Sequence, residues 1–132
     1  VGVANHIRVF DPKKETFFNK KAVNNTDKLF HEIFITGMSE GLLISPVGKG
    51  YPLGKGKYLD FFGINYYSRY LISFTLNPKT LFIKTETKQD SEKNDLGWEI
   101  YPEGIYRLCK KWELLYKDVT PILGFLFLTN KF

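Results

Sequence analysis

One apolar run constrains the fold of this chain more than any other feature. Residues 59–67 read Leu-Asp-Phe-Phe-Gly-Ile-Asn-Tyr-Tyr, a nearly continuous stretch of apolar side chains that ends in polar aromatics. A strand with one solvated face would alternate polar and apolar residues, whereas a continuous run is typical of a strand buried on both faces. The sequence therefore predicts a central parallel strand here.

Four further segments show the periodicity of regular structure. They are a short strand at about residues 1–7, an amphipathic helix over 20–38 that stops at Gly37 and Gly41, a second helix over 103–117 with Pro102 as its first residue, and a third buried strand over 121–128. The order strand, helix, strand, helix, strand implies an α/β fold with parallel pairing and right-handed crossovers.

The connecting segments are rich in turn residues. Residues 45–57 contain Gly and Pro at close intervals and are predicted to be loop. Their glycines do not have phosphate-loop spacing, because Gly48 and Gly54 lie one residue too far apart. Residues 70–76 and 81–85 flank Asn-Pro-Lys and are expected to form a hairpin, followed by a polar loop over 88–95.

Charge and composition narrow the function classes. The net charge of +5 comes from sixteen Lys and three Arg dispersed along the chain, which is typical of a solvated surface and disfavours nucleic-acid binding. No stretch approaches the roughly 20 apolar residues of a membrane span. The single cysteine, Cys109, is expected to be a small half-buried residue and fits a reducing, cytoplasmic location.

Two motifs carry a resemblance to a known family. Residues 59–67, followed by Ser68 and Arg69, resemble the sixth-strand motif of family 1 glycoside hydrolases, DF(I/L/F)GINYY. Residues 97–104, Gly-Trp-Glu-Ile-Tyr-Pro-Glu-Gly, resemble the segment that precedes the sixth helix in the same family. The two motifs occur in the family's order and at the family's distance, and the opening residues 1–12 are similar to its fifth strand and following loop.

The resemblance implies a partial TIM (β/α)8 barrel. It covers residues 1–122, from the fifth strand to the start of the seventh, while residues 123–132 form a divergent tail. This corresponds to roughly three of eight βα units in a fold that typically needs about 250 residues. The parent would be a retaining β-glycosidase of the β-glucosidase type, with a β-glucoside or oligosaccharide as substrate and no cofactor.

A retaining glycosidase places two carboxyl groups about 5 Å apart, one as nucleophile and one as acid/base. In the family the acid/base Glu ends the fourth strand, which would precede Val1. The nucleophile ends the seventh strand in a Pro-Ile-Tyr-Ile-Thr-Glu-Asn-Gly pattern, whereas this chain keeps Pro121 and Ile122 and then departs, so that Leu126 falls at the nucleophile position. The chain alone is therefore expected to be inactive, through a frameshift or truncation, with no catalytic residue of its own.

Four supporting residues remain as candidates for substrate binding. By resemblance, Asn65 lines the sugar site, Tyr67 hydrogen-bonds the nucleophile, Trp98 is an aromatic platform for the aglycone, and His6 lies near another aglycone-facing position. Without the family, the same residues would be ordinary strand-end aromatics, a loop anchor and a turn former. His6 and His31 lie far apart with no ligand at metal-binding spacing, so no metal site is predicted.

Two alternatives from other classes remain open. One is a noncatalytic carbohydrate-binding or interaction remnant that uses Tyr67 and Trp98 without hydrolysis. The other is a basic single-stranded RNA-binding module built on the Gly, Lys and aromatic residues of 48–70.

Overall fold

The architecture is a four-stranded sheet with helices packed on one face. The structure, a computed structural model, describes residues 2–115 and 120–126, with side chains up to residue 113. Its elements are β1 (Gly2–Pro12), α1 (Phe17–Asp27), a π-helical turn (Lys28–Glu32), α2 (Ile33–Glu40), β2 (Phe61–Phe74), a 3-10 turn (Pro78–Thr80), β3 (Ile83–Glu86), α3 (Glu103–Leu115) and β4 (Thr120–Leu126).

The predicted parallel α/β order is confirmed. Strand β2 lies at the centre of the sheet and pairs in parallel with β1 and with β4. The predicted hairpin is also present, because the end of β2 pairs antiparallel with β3 from Leu71↔Glu86 to Phe74↔Ile83. The part of the predicted third strand beyond Leu126 lies outside the described residues, as does Lys117 of the predicted second helix.

The predicted strand bounds were too short. Strand β1, expected to end at about residue 7, continues to Pro12, because Asp11 and Pro12 still pair with Leu71 and Ile72. Strand β2, expected over residues 59–67, runs without interruption into the first arm of the hairpin. Two separately predicted strands are therefore one 14-residue strand.

The first helical region is longer than predicted and contains an irregularity. It begins at Phe17, where the Thr16 hydroxyl accepts a hydrogen bond from the Asn19 backbone N–H at 3.3 Å as an N-cap. It ends at Gly41, whose φ of +75° is the left-handed conformation that favours glycine. The predicted stop at Gly41 is confirmed, whereas Gly37, which was expected to mark the end together with it, lies within α2.

The core lies between the sheet and its helices. Alternate side chains of β1 and β2 point to this face and meet one apolar side of α3. The buried members are Ile7, Val9, Ile35, Leu59, Phe62, Ile64, Tyr66, Leu108 and Trp112. The residues between them in β1 and β2 therefore point to the opposite face of the sheet.

Candidate functional site

The four predicted substrate-binding residues come together on that opposite face. His6 and Asn65 are direct neighbours in the parallel register of β1 and β2. The Tyr67 ring lies with its centroid 4.3 Å from the imidazole of His6 and 5.5 Å from the Trp98 ring, which it meets edge-on. We refer to His6, Tyr67 and Trp98 as the aromatic surface.

Asn65 contributes hydrogen-bonding capacity beside the aromatic surface. Its side chain is half-buried, and within the described part of the chain its Oδ1 is buried without a hydrogen-bond partner. Buried polar atoms of native proteins are nearly always paired, and an unpaired one calls for an explanation such as a ligand or water. Asn65 is therefore suited to contact a polar group placed against this face.

Sequence reasoning missed a fifth residue of the site, Arg8. Its side chain is buried between aromatic rings, with the guanidinium carbon 4.3 Å from the Tyr70 ring centroid and 5.1 Å from that of Trp98. Its Nε donates to His6 Nε2 at 2.8 Å. A cation held over ring faces is attracted by their negative centres, which explains how Arg8 is accommodated.

A β-bulge explains why Tyr67 and Tyr70 share one face. Ile7 pairs with Tyr66 and Val9 pairs with Arg69, so two residues of β2 oppose the single residue Arg8 of β1. The extra residue shifts the alternation of β2 and re-aims the side chains that follow. Tyr70 therefore faces Arg8 although it lies three positions beyond Tyr67.

The irregular part of the helix supports the same strand from the other side. His31, 1% exposed, lies in the π-helical turn and accepts the backbone N–H of Arg8 at its Nε2, 3.3 Å away. Its Nδ1 then carries the proton and donates to Asp27 Oδ1 at 2.9 Å. Burial would raise the pKa of Asp27, but hydrogen bonds from His31 and Lys111 outweigh it and hold this pKa below its ordinary value.

An ion-pair network fixes the segment that carries Trp98. Arg69 of β2 donates to both oxygens of Glu99, at 2.6 and 3.1 Å, and its guanidinium lies 4.0 Å from the Tyr101 ring centroid. Asp11 accepts from Arg69 at 3.4 Å and from both Nη atoms of Arg107 at 2.7 and 2.9 Å. The hydrogen bonds that Arg69 donates to Glu99 raise the pKa of Arg69, while the pKa of Asp11 is lowered by its arginines despite burial.

A tight contact joins the same segment to the central strand. The Tyr66 hydroxyl donates to the Tyr101 carbonyl at 2.6 Å, and burial raises the pKa of this phenol. A Cβ on Gly104 would lie 2.1 Å from the Tyr66 oxygen, so a glycine is required there. Glu99, Tyr101 and Gly104 of the 97–104 motif therefore act as structural anchors.

Several carboxylates of the described residues are engaged in structural contacts or lie at the surface. Glu99 is held by Arg69, and Glu86 pairs with Lys13 and Lys84. Glu103 is exposed in the first turn of α3. Cys109 is half-buried as expected, and burial raises the pKa of its thiol, which disfavours the reactive thiolate.

The position predicted for a nucleophile lies close to the aromatic surface in the backbone register. Leu126 pairs with Tyr66, the residue that precedes Tyr67. Within the described residues, no group of three or more His, Cys, Asp and Glu side chains is arranged to hold a metal ion. No described helix has the length and apolarity needed to cross a membrane.

Curated relatives of known name are similar to parts of the chain. Beta-glucosidase A of Thermotoga maritima is 43% identical over 53 residues, which are 40% of this chain and 11% of that protein. A beta-galactosidase of Pyrococcus woesei is 29% identical over 125 residues, covering 79% of this chain and 24% of the relative. No protein-family model matches the chain.

Solved structures show the same relationship at the level of the fold. A beta-glycosidase from Pyrococcus horikoshii superposes with a TM-score of 0.72 at 27% identity, covering 86% of this chain and 26% of that one. The family 1 β-glucosidase from Thermotoga maritima gives a TM-score of 0.72 at 26% identity, with 89% and 28% covered. The chain thus spans about a quarter of these proteins. In sequence and in fold it is similar to a part of the family 1 β-glycosidases.

Proposed function

We propose that this chain is a segment of a retaining β-glycosidase barrel of the β-glucosidase type, and that its aromatic surface contacts the aglycone of a β-glucoside or oligosaccharide. The observation that carries the proposal is the convergence of His6, Asn65, Tyr67 and Trp98, which come from two strands and a loop, on one face of the sheet. Flat aromatic faces with a few polar groups are the usual composition of small-molecule sites.

Bound inhibitors of a relative support the substrate class. The Thermotoga maritima family 1 enzyme has been solved with isofagomine lactam and with glucoimidazole. In the proposed arrangement the four strands correspond to roughly three of the eight βα units of the barrel. The open face of the sheet then faces the barrel interior, where the sugar would lie against Asn65 and Tyr67.

The proposal includes a catalytic deficit in the 132-residue chain itself. The residue aligned with the nucleophile is Leu126, and the acid/base Glu is expected on a strand before Val1. The coding DNA on both sides tests this part: an upstream Asn-Glu-Pro and a downstream Thr-Glu-Asn-Gly in another frame are expected. An intact reading frame that encodes Leu126 and aligns with the family through an eighth strand would overturn the frameshift hypothesis.

A binding titration tests the aromatic surface. Cellobiose is titrated into the chain and the heat of binding is measured by calorimetry, with Trp98→Ala as the test variant and Leu96→Ala, an exposed residue two positions earlier, as the matched control. Loss of a stacking ring is expected to weaken binding about tenfold. Equal affinity of the two variants, or no saturable binding by folded wild-type chain, would contradict the proposal.

The noncatalytic carbohydrate-binding alternative differs from the glycosidase-segment proposal in one expected result, the sequence of the flanking DNA. Saturable binding without any β-glucoside hydrolysis is expected of both the isolated segment and a binding remnant. The two are separated by the flanking DNA, since a remnant that functions by binding has no reason to be followed by the lost Thr-Glu-Asn-Gly in another frame.

A further inference from the structure

We propose that Arg8 positions His6 as a neutral, Nδ1-protonated hydrogen-bond donor at the edge of the aromatic surface, which selects an oxygen-bearing aglycone such as a second sugar over a hydrocarbon one. This deepens the proposed function and rests on it. Arg8 is a positioning residue in this account, and His6 is the residue that contacts the ligand.

The direction of the Arg8–His6 hydrogen bond determines the tautomer of His6. An arginine Nε always carries a proton and can only donate, so the 2.8 Å contact requires His6 Nε2 to accept. The imidazole must therefore be deprotonated at Nε2. A neutral ring in this state carries its proton on Nδ1.

Arg8 is held in a fixed position. Its guanidinium lies over the Tyr70 and Trp98 rings, and its backbone N–H is bound by the buried His31. Within the described residues no carboxylate pairs with Arg8, and its Nη1 is buried without a hydrogen-bond partner. Packing and the hydrogen bond to His6 therefore hold the Arg8 side chain in place. Moving away from His6 would cost the hydrogen bond of its Nε as well.

His6 lies where a ligand on the aromatic surface would reach it. Its side chain is exposed, and its ring contacts Tyr67 at 4.3 Å between centroids. No described residue accepts a hydrogen bond from its Nδ1, so a fixed donor stands beside the stacking platform. An aglycone stacked on Tyr67 would displace water from this N–H, so an aglycone without an oxygen would leave the donor unpaired, and sites built to hydrogen-bond an oxygen reject such analogues.

The surroundings of His6 all favour the uncharged ring. Partial burial of the ring lowers the pKa of His6, and the charge of Arg8 on the same strand lowers it further. Tyr67 is the titratable neighbour from β2, His31 faces the site from the π-helical turn as a neutral ring, and Phe30 contributes an uncharged ring 5.6 Å away. The donor state is thus maintained across neutral pH.

A spectroscopic measurement on the free chain tests the positioning. The ¹⁵N shifts of His6 are expected to show the Nδ1–H tautomer in the wild type. In Arg8→Met, which keeps an apolar stem against the rings, the Nε2–H tautomer should gain population and the His6 titration should move to higher pH. An Nε2–H tautomer in the wild type would overturn the proposal.

A matched ligand pair tests the selectivity. Cellobiose and cyclohexyl β-glucoside both carry a six-membered ring as aglycone, with and without hydroxyl oxygens. The wild type is expected to prefer cellobiose by about fivefold, the equivalent of one net hydrogen bond, and His6→Phe should lose that preference while still binding the cyclohexyl compound. Equal affinities in the wild type, or an unchanged preference in His6→Phe, would overturn the inference. Failure of both glucosides to bind would instead overturn the proposed function, and the ligand class with it.

Discussion

Arg69 donates hydrogen bonds to both carboxylate oxygens of Glu99, at 2.6 and 3.1 Å, and thereby connects the segment that carries Trp98 to the strand that carries Tyr67. The two residues are 30 positions apart in sequence. Glu99 has a side chain 3% exposed, so the pair is shielded from water on the acid side. The aromatic surface depends on this pair because its third ring lies on a loop.

Glu99→Gln is expected to destabilise the chain by about 3 kcal/mol, because it removes the main partner of a largely buried arginine and leaves Arg69 only its longer contact with Asp11. Urea unfolding measures the change. Glu103→Gln, in the exposed first turn of α3, is the control and should cost about 0.5 kcal/mol through the helix dipole. Equal effects of the two substitutions would show that the Arg69 pair does not stabilise the fold.

Gly63→Ala is expected to destabilise the chain by about 2 kcal/mol through crowding. A Cβ on Gly63 would lie 2.8 Å from the Ala4 Cβ and 2.9 Å from the Ala4 Cα, and the backbone of β1 cannot move aside without breaking its pairing. Gly56→Ala is the matched control, since its Cβ would meet Tyr58 at an ordinary 3.5 Å. Thermal unfolding that is the same for both variants would refute the close approach of β1 and β2.

His31→Phe is expected to cost about 2 kcal/mol, because it leaves the Arg8 N–H and an Asp27 oxygen without their partner in a buried setting. Tyr106 of α3, which is 64% exposed, provides the control. Tyr106→Phe removes one surface hydroxyl and should change the free energy of unfolding by less than about 0.5 kcal/mol. Chemical denaturation of both variants at neutral pH would detect the difference, and a reversed order would contradict the structure.

Acid should remove the contribution of Asp27 to stability. Its pKa in the folded chain lies below the ordinary value of 3.8, so its stabilisation is fully present above that value and is lost as the pH falls through the lower folded pKa. The difference in unfolding free energy between wild type and Asp27→Asn should be constant above about pH 5 and shrink below pH 3.8. Parallel curves down to the lowest pH would mean that His31 and Lys111 do not hold the ionised form.

The strands and helices could be predicted because each follows a local rule. The apolar run at 59–67 and the helical period of 103–117 report burial directly, and the motif resemblance brought Asn65, Tyr67 and Trp98 to attention. Arg8 was missed because its placement depends on a β-bulge, and pairing irregularities leave no mark in a strand's hydrophobic pattern.

The helix was shortened in the prediction for a similar reason. Gly37 lies within α2, which continues to Glu40 and buries Ile33 and Ile35. The π-helical turn before α2 places His31 against the Arg8 backbone. Such turns are set by the tertiary contact that they serve. The ion pair between Arg69 and Glu99 was equally hidden, since it joins residues that only the folded sheet brings together.

The two tryptophans allow the most direct test of the central claim, that the aromatic surface binds a β-glucoside. Trp98 lies on this surface, whereas Trp112 packs against Phe62 in the core, with 5.5 Å between the two ring centroids. A ¹H–¹⁵N spectrum resolves their two indole N–H signals during titration with cellobiose. Binding at the aromatic surface predicts a saturable shift of the Trp98 signal with the Trp112 signal unchanged. A folded sample in which neither signal moves, or in which both move together, would contradict it.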